Sequence, residues 1–251
     1  MYKIQKKILL LGGTTEASNF TKNAVNQDKF NIIFSLAGVT KNPVLPPQVQ
    51  IRIGGFGGMI KMAEWIKNHH IDAIIDATHP FAQQITRNAY HAAQITNTAF
   101  LRLERPAWVK ENGDIWCEVN SPQDAVTALG QYPKNVFVTI GRKELLTFKE
   151  CKIPHHYWIR SVDRPEDIYI PDNAQLIQAK GPFSEADEIA FLKQYQIDYI
   201  ISKNSGGKTV YAKISAARKL HIPVILIRRP SMEPMPCMYT WQEAYQWALN
   251  I

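Results

Sequence analysis

The chain reads as a parallel α/β protein with a sheet in each half. Short apolar runs suited to strands buried on both faces recur along its whole length. Amphipathic helical stretches alternate with them, as parallel pairing requires. Many of the runs end in glycine, arginine or lysine loops, which puts polar chemistry where ligands bind in parallel sheets. We place the boundary near Leu129, giving domains of 1–130 and 131–251 that would face a ligand across a cleft.

At 251 residues, 45% hydrophobic and 20% charged, the composition is globular and excludes disordered and fibrous classes. No apolar run approaches the roughly 20 residues of a membrane span. Residues 1–7 lead directly into the first strand, with no room for a signal peptide, so a cytoplasmic protein is expected. Cys117, Cys151 and Cys237 are too scattered for a zinc or disulfide pattern and read as reduced thiols. The net charge of +7 implies an acidic partner. A polyanionic small molecule with a phosphorylated cofactor accounts for it as well as nucleic acid does, and no lysine-rich tract is present.

The first strand is Lys6-Lys7-Ile8-Leu9-Leu10-Leu11, broken by Gly12 and Gly13. Thr14, Thr15 and Glu16 then cap and begin a helix to about Val25. Strand, tight turn and helix N-terminus together present backbone N–H groups and a positive dipole end to a phosphate. Gly12 and Ala17 fit the first and third positions of the dinucleotide fingerprint, while Thr14 replaces the second glycine. Alone, this is equally a plain strand–helix turn.

Residues 31–37 form the second strand, followed by Gly38-Val39-Thr40-Lys41 in place of a ribose-binding acid, with Lys41 a candidate phosphate contact. The proline-rich piece 43–47 is a surface connection. Gln50-Ile51-Arg52-Ile53 is a short strand before Gly54-Gly55-Phe56-Gly57-Gly58, either a close backbone approach to a ligand or a hinge. After a helix over 59–68, the strand 72–76 runs into Ala77-Thr78-His79-Pro80. Thr78 or His79 would cap the next helix, with Pro80 in its first turn. At that strand end His79 is either a proton donor or a capping histidine.

Residues 99–103 give a fifth strand before Glu104-Arg105-Pro106-Ala107-Trp108, and Ser121 opens a helix to about Leu129. In the second half, 135–140 ends in Gly141-Arg142-Lys143-Glu144-Leu145 and 156–161 carries Arg160. Residues 174–178 precede Lys180-Gly181-Pro182-Phe183 and a helix capped by Ser184. The strand 198–201 leads into Ser202-Lys203-Asn204-Ser205-Gly206-Gly207-Lys208-Thr209, which fails as a P-loop because Ser202 holds the place of its first glycine. A helix over 210–220, a strand over 223–227 and a closing helix over 241–249 complete the chain.

Arg102, Arg105, Arg142, Arg160, Arg164, Arg228 and Arg229 fall at or beyond strand ends. Converging guanidinium forks suit a substrate with many carboxylates, although each alone is as readily a surface charge or a domain-interface salt bridge. The adjacent pairs His69–His70 and His155–His156 point different ways and do not make a metal site. Neither a Ser–His–Asp arrangement nor a C-x-x-C motif is evident.

Taken together, these motifs resemble the precorrin-6A reductases, including the cobalt-precorrin-6A reductases of cobalamin biosynthesis. The resemblance spans nearly the whole chain. It rests on residues 11–17, 53–58, 76–82, 104–108, 141–145, 180–183 and 203–207, in this order. It implies two Rossmann-like domains, NADPH or NADH as cofactor, and hydride delivery to one double bond of a carboxylate-studded tetrapyrrole. By that resemblance Gly12, Gly13, Thr14 and Thr15 would take the cofactor pyrophosphate. Gly54, Gly55, Gly57, Gly58, Thr78, His79 and Pro80 would close around it. Arg105, Arg142, Arg160, Lys203, Asn204, Ser205, Gly206 and Gly207 would hold macrocycle carboxylates, and Lys203, His79 or a water would give the proton. Val39 stands where many relatives carry an arginine suited to a 2′-phosphate, which leaves both NADPH and NADH open. Neither nucleic acid nor a membrane is an expected partner, although transient contact with other cobalamin-pathway enzymes is. The competing readings are a methyltransferase using S-adenosylmethionine and a non-catalytic nucleotide or nucleic-acid binder.

Overall fold

The computed structural model describes residues 5–25, 29–38 and 45–251, and the sequence-based expectations at Val39, Thr40, Lys41 and Pro43 lie outside them. In the first part of the chain, β1 (Lys6–Leu11), α1 (Thr15–Val25), β2 (Phe30–Leu36) and β3 (Gln50–Ile53) come first. They are followed by α2 (Met59–Asn68), β4 (Ala73–Asp76), α3 (Gln83–Thr96) and β5 (Ala99–Leu103). The middle of the chain supplies β6 (Trp116–Val119), α4 (Pro122–Ala128), β7 (Asn135–Thr139), α5 (Leu146–Lys149) and β8 (His156–Ser161). It continues with β9 (Ala174–Gln178), α6 (Glu185–Gln194), β10 (Tyr199–Lys203), α7 (Ala212–Leu220) and β11 (Val224–Ile227). A short β12 (Cys237–Met238) and α8 (Trp241–Asn250) close it.

Among the described residues these strands form two six-stranded sheets, ordered β12-β5-β4-β1-β2-β3 and β6-β11-β10-β7-β8-β9. Every pairing is parallel. The two-sheet α/β class expected from the sequence is therefore present.

The division between the two units differs from the expectation. One compact unit runs through Pro106 and takes back Ser231–Ile251; the other is Ala107–Pro230. The break near residue 130 is thus corrected to Pro106, with a return at Pro230. The reason is strand pairing: β6 adds to β11 in the second sheet, while β12 adds to β5 in the first. Each sheet gains its sixth strand from across the expected boundary.

In the first unit, alternate residues of β1 split the core. Ile8 and Leu10 pack with Phe20 and Ala24 of α1 and Ala244 and Ala248 of α8. Leu9 and Leu11 face Met62, Ala63 and Ile66 of α2 and Ala89 and Ala92 of α3 on the other side. Burial on both faces explains the unbroken apolar run of β1. In the second unit Phe137, Ile200 and Leu226 pack with Leu192, Ile214 and Ala217. Local caps act where the sequence placed them: Ser121 accepts from Asp124 N at 3.0 Å and Ser184 from Asp187 N at 3.1 Å. No helix among the described residues is long and apolar enough to cross a membrane.

Candidate active site

In each sheet the strand order reverses direction beside the first strand of the repeat, between β1 and β4 in one unit and β7 and β10 in the other. At such a point neighbouring loops diverge to opposite faces and leave a crevice at the carboxyl ends.

In the first unit the loops after β1 and β4 are tied together. Gly12 N donates to Ser35 O and Ala77 N to Leu11 O, both at 2.9 Å, extending the ladder past the strand ends. Thr14 Oγ1 donates to Ala77 O at 2.7 Å and accepts from Ala17 N at 3.2 Å, so one hydroxyl caps α1 and anchors the neighbouring loop. This is why threonine serves where the fingerprint has glycine.

The loop after β4 is set from beneath. Asp76, wholly buried, accepts from Thr78 N at 3.0 Å and Thr78 Oγ1 at 2.7 Å, and its other oxygen lies 2.6 Å from Arg102. Arg102 also reaches Glu104 at 2.9 Å and Thr86 Oγ1 at 3.1 Å. Burial alone would lower its pKa, but the carboxylates of Asp76 and Glu104 more than offset this and hold it above the ordinary arginine value. Arg102 therefore braces the loop and is no carboxylate-binding arm. It also donates to the carbonyls of Thr78 and His79 at 3.3 and 3.4 Å. With those carbonyls engaged, α3 starts only at Gln83, after a turn in which Ala82 N donates to His79 O. The expected cap at Thr78 or His79, with Pro80 in the first helical turn, is corrected accordingly. His79 Nδ1 accepts from Phe81 N at 3.3 Å, which leaves the proton of the neutral ring on Nε2.

The 54–58 loop follows the edge strand β3. A Cβ added at Gly54, Gly55 or Gly58 would meet nothing within 4 Å, and Gly54 and Gly58 hold φ of +115° and +102°. Gly12 is the opposite case, since a Cβ there would lie 2.3 Å from the Phe34 ring. The turn after β1 is thus compact because the strand packs under it. The backbone at Gly54, Gly55 and Gly58 is open instead, and the first N–H groups of α1 have no partner within their own helix. These residues fit a phosphate-bearing dinucleotide. Arg105, expected to hold substrate, pairs with Glu16 at 2.8 Å.

In the second unit the equivalent crevice carries charge. Lys203, the last residue of β10, places Nζ 2.6 Å from Glu144 Oε2, and that oxygen also accepts from Gly141 N at 3.0 Å. Arg142 opens a 3-10 turn over Arg142–Leu145 and is half-buried. The 204–207 loop is held from within. Asn204 is buried, exchanging hydrogen bonds with Trp108 N and O at 2.8 and 3.0 Å, and Trp108 Nε1 donates to Gly207 O at 2.8 Å. Arg229 donates to the carbonyls of Asn204 and Ser205 at 3.0 and 3.2 Å. The side chain of Asn204, expected on substrate, is engaged in this brace.

Arg160, also expected on substrate, is engaged within the protein. It forks onto Glu188 at 2.5 and 3.1 Å and lies over the rings of Phe183, Phe137 and Phe191. Beside Glu188, Lys213 is buried with Nζ donating to Val210 O at 2.9 Å, and burial pushes its pKa down to about 8 against the pull of Glu188. Arg164 and Arg228 pair at the surface with Asp167 and Glu118. The sequence reading missed Glu144, Lys213 and Arg52. Only Arg52, a lone charge in a short strand running into the glycine loop, carried a visible signal.

A reversed parallel sheet with a glycine turn, a capped helix and a braced second loop defines the class of α/β dinucleotide-fold enzymes. The chain matches the family model of the precorrin-6x reductases CbiJ/CobK over residues 7–249 and belongs to that family of reductases. It is 45% identical over 239 residues to a precorrin-6A reductase of a Sinorhizobium species, covering 95% of this chain and 90% of that one. A solved structure titled CobK precorrin-6A reductase superposes with a TM-score of 0.90 at 38% identity, covering 98% and 97% of the two chains. A cobalt-precorrin-6A reductase of Priestia megaterium is 28% identical over 258 residues, with 97% and 98% covered.

Proposed function

We propose that this chain reduces one double bond of the precorrin-6A macrocycle, in cobalamin biosynthesis, with NADPH or NADH as reductant. The observation that carries the reading is the crevice after β1 and β4, where Thr14 locks a glycine turn to a braced second loop in a chain of this reductase family. The nicotinamide supplies the hydride when bound; the chain supplies binding, orientation and a proton. Gly12, Gly13, Thr14 and Thr15 would hold the pyrophosphate at the start of α1, with the 54–58 loop and Thr78, His79 and Pro80 beside it. Arg142, Lys203 and the backbone of Gly206 and Gly207 would take substrate carboxylates.

Lys203 is our choice over His79 as the source of the proton. Its Nζ is held 2.6 Å from Glu144 at a strand end, a fixed donor that attracts a carboxylate-rich substrate. The greater likeness to relatives named for the metal-free substrate, 45% against 28%, favours precorrin-6A over its cobalt form.

Anaerobic mixing of the protein with NADPH or NADH, with and without precorrin-6A and cobalt-precorrin-6A, tests the reading. Loss of nicotinamide absorbance that depends on the macrocycle is the expected result. A protein that binds the dinucleotide but oxidises it with neither macrocycle would refute the substrate.

A further inference from the structure

Arg52 in β3 differs from the other strand-end arginines of its unit. Arg102 is matched by Asp76 and Glu104, and Arg105 by Glu16. Arg52 donates instead to the neutral carbonyls of Gly54 and Gly55 at 2.5 and 2.8 Å and reaches Ser35 Oγ at 3.4 Å. Its guanidinium carbon lies 3.6 Å from the centroid of Phe56 and 5.5 Å from that of Trp65. No carboxylate among the described residues pairs with it, and burial lowers its pKa with nothing opposing.

Carbonyls satisfy N–H donors without cancelling the charge, so this half-buried cation has no counter-charge among the described residues. Its surroundings fix where one would sit. Arg52 registers with Ser35 of β2, at the carboxyl end of the sheet, and the second strand's end is where the adenosine ribose lies in such folds. The adjoining backbone at Gly54 and Gly55 is open. An arginine already stacked and hydrogen-bonded loses little freedom on meeting a phosphate.

We propose that Arg52 is the residue that selects NADPH over NADH, by pairing with the adenosine 2′-phosphate. The inference rests on the nicotinamide reading above and deepens it.

Calorimetric titration of the full chain with NADP+ and with NAD+ tests it. Unmodified protein should bind NADP+ the more tightly. Arg52→Met should weaken NADP+ by about ten- to a hundredfold, the range of one charge-assisted pair, and leave NAD+ within about twofold. Equal loss of both dinucleotides would mean that Arg52 merely shapes the loop or meets the pyrophosphate, and would overturn the proposal. So would a preference for NADP+ that survives the substitution, or none in the unmodified protein. If Arg52→Met fails to fold, Arg52→Lys carries the test: selectivity must fall while NAD+ affinity holds. Unmodified protein that binds neither dinucleotide would bring down the cofactor reading itself, and this inference with it.

Discussion

The two units repeat one topology and fill it differently. Around β1 and β4 the crevice is lined by backbone: a glycine turn, a helix start and a loop whose side chains are turned inward onto Asp76 and Arg102. Around β7 and β10 the same position holds a side-chain pair, Lys203 and Glu144, and the same unit buries Glu188 and Lys213, with Arg160 forked onto Glu188. Strand order decides where loops can meet a ligand; side-chain volume and charge decide which ligand it is. A crevice of backbone N–H groups suits a phosphate, and one bearing a fixed ammonium suits carboxylates.

The sharpest way to break this comparison is at Lys203. Lys203→Met should lower kcat by about a hundredfold or more, the contribution of a positioned proton donor, with NADP+ affinity unchanged. A raised KM at constant kcat would reduce Lys203 to a carboxylate anchor. In the first unit the comparable change is structural. Asp76→Ala strands a buried guanidinium and should cost about 3–5 kcal/mol in urea denaturation. A loss well below that would mean Glu104 alone can hold Arg102.

Lys213 gives a smaller and opposite effect. Its folded pKa near 8 lies below its unfolded value, so the unfolded chain binds the extra proton between them. The penalty is full below pH 8 and fades as pH rises toward about 10.5, so stability gains over that window. Lys213→Met should be more stable by about 1–4 kcal/mol at pH 7, with the gap closing as the buffer is made alkaline. A gap that stays constant with pH would show that Lys213 holds its proton as firmly in the fold as in the unfolded chain.

What could be read directly was local. The apolar runs of β1 and β10, the caps at Ser121 and Ser184, and the glycines of residues 12–13 and 54–58 each depend on neighbours a few places away. Those short-range rules fixed the fold class, most element positions and the loops of the candidate site. The partners of the arginines were not legible, because Arg102 finds Asp76 and Arg160 finds Glu188 only once separate strands and helices are brought together. Hence the sequence marked Arg105 and Arg160 as ligand arms, where the structure pairs them with Glu16 and Glu188. The edges of the sheets are of the same kind. A strand's hydrogen bonds go to whichever edge the assembled sheets leave open, and β6 and β12 carry no local mark of that edge. The sequence by itself therefore determined strands, helices and glycine loops. The tertiary structure alone decided that the boundary falls at Pro106, that the last residues return to the first sheet, and which charges remain for a ligand, since each depends on pairing between residues far apart in the chain.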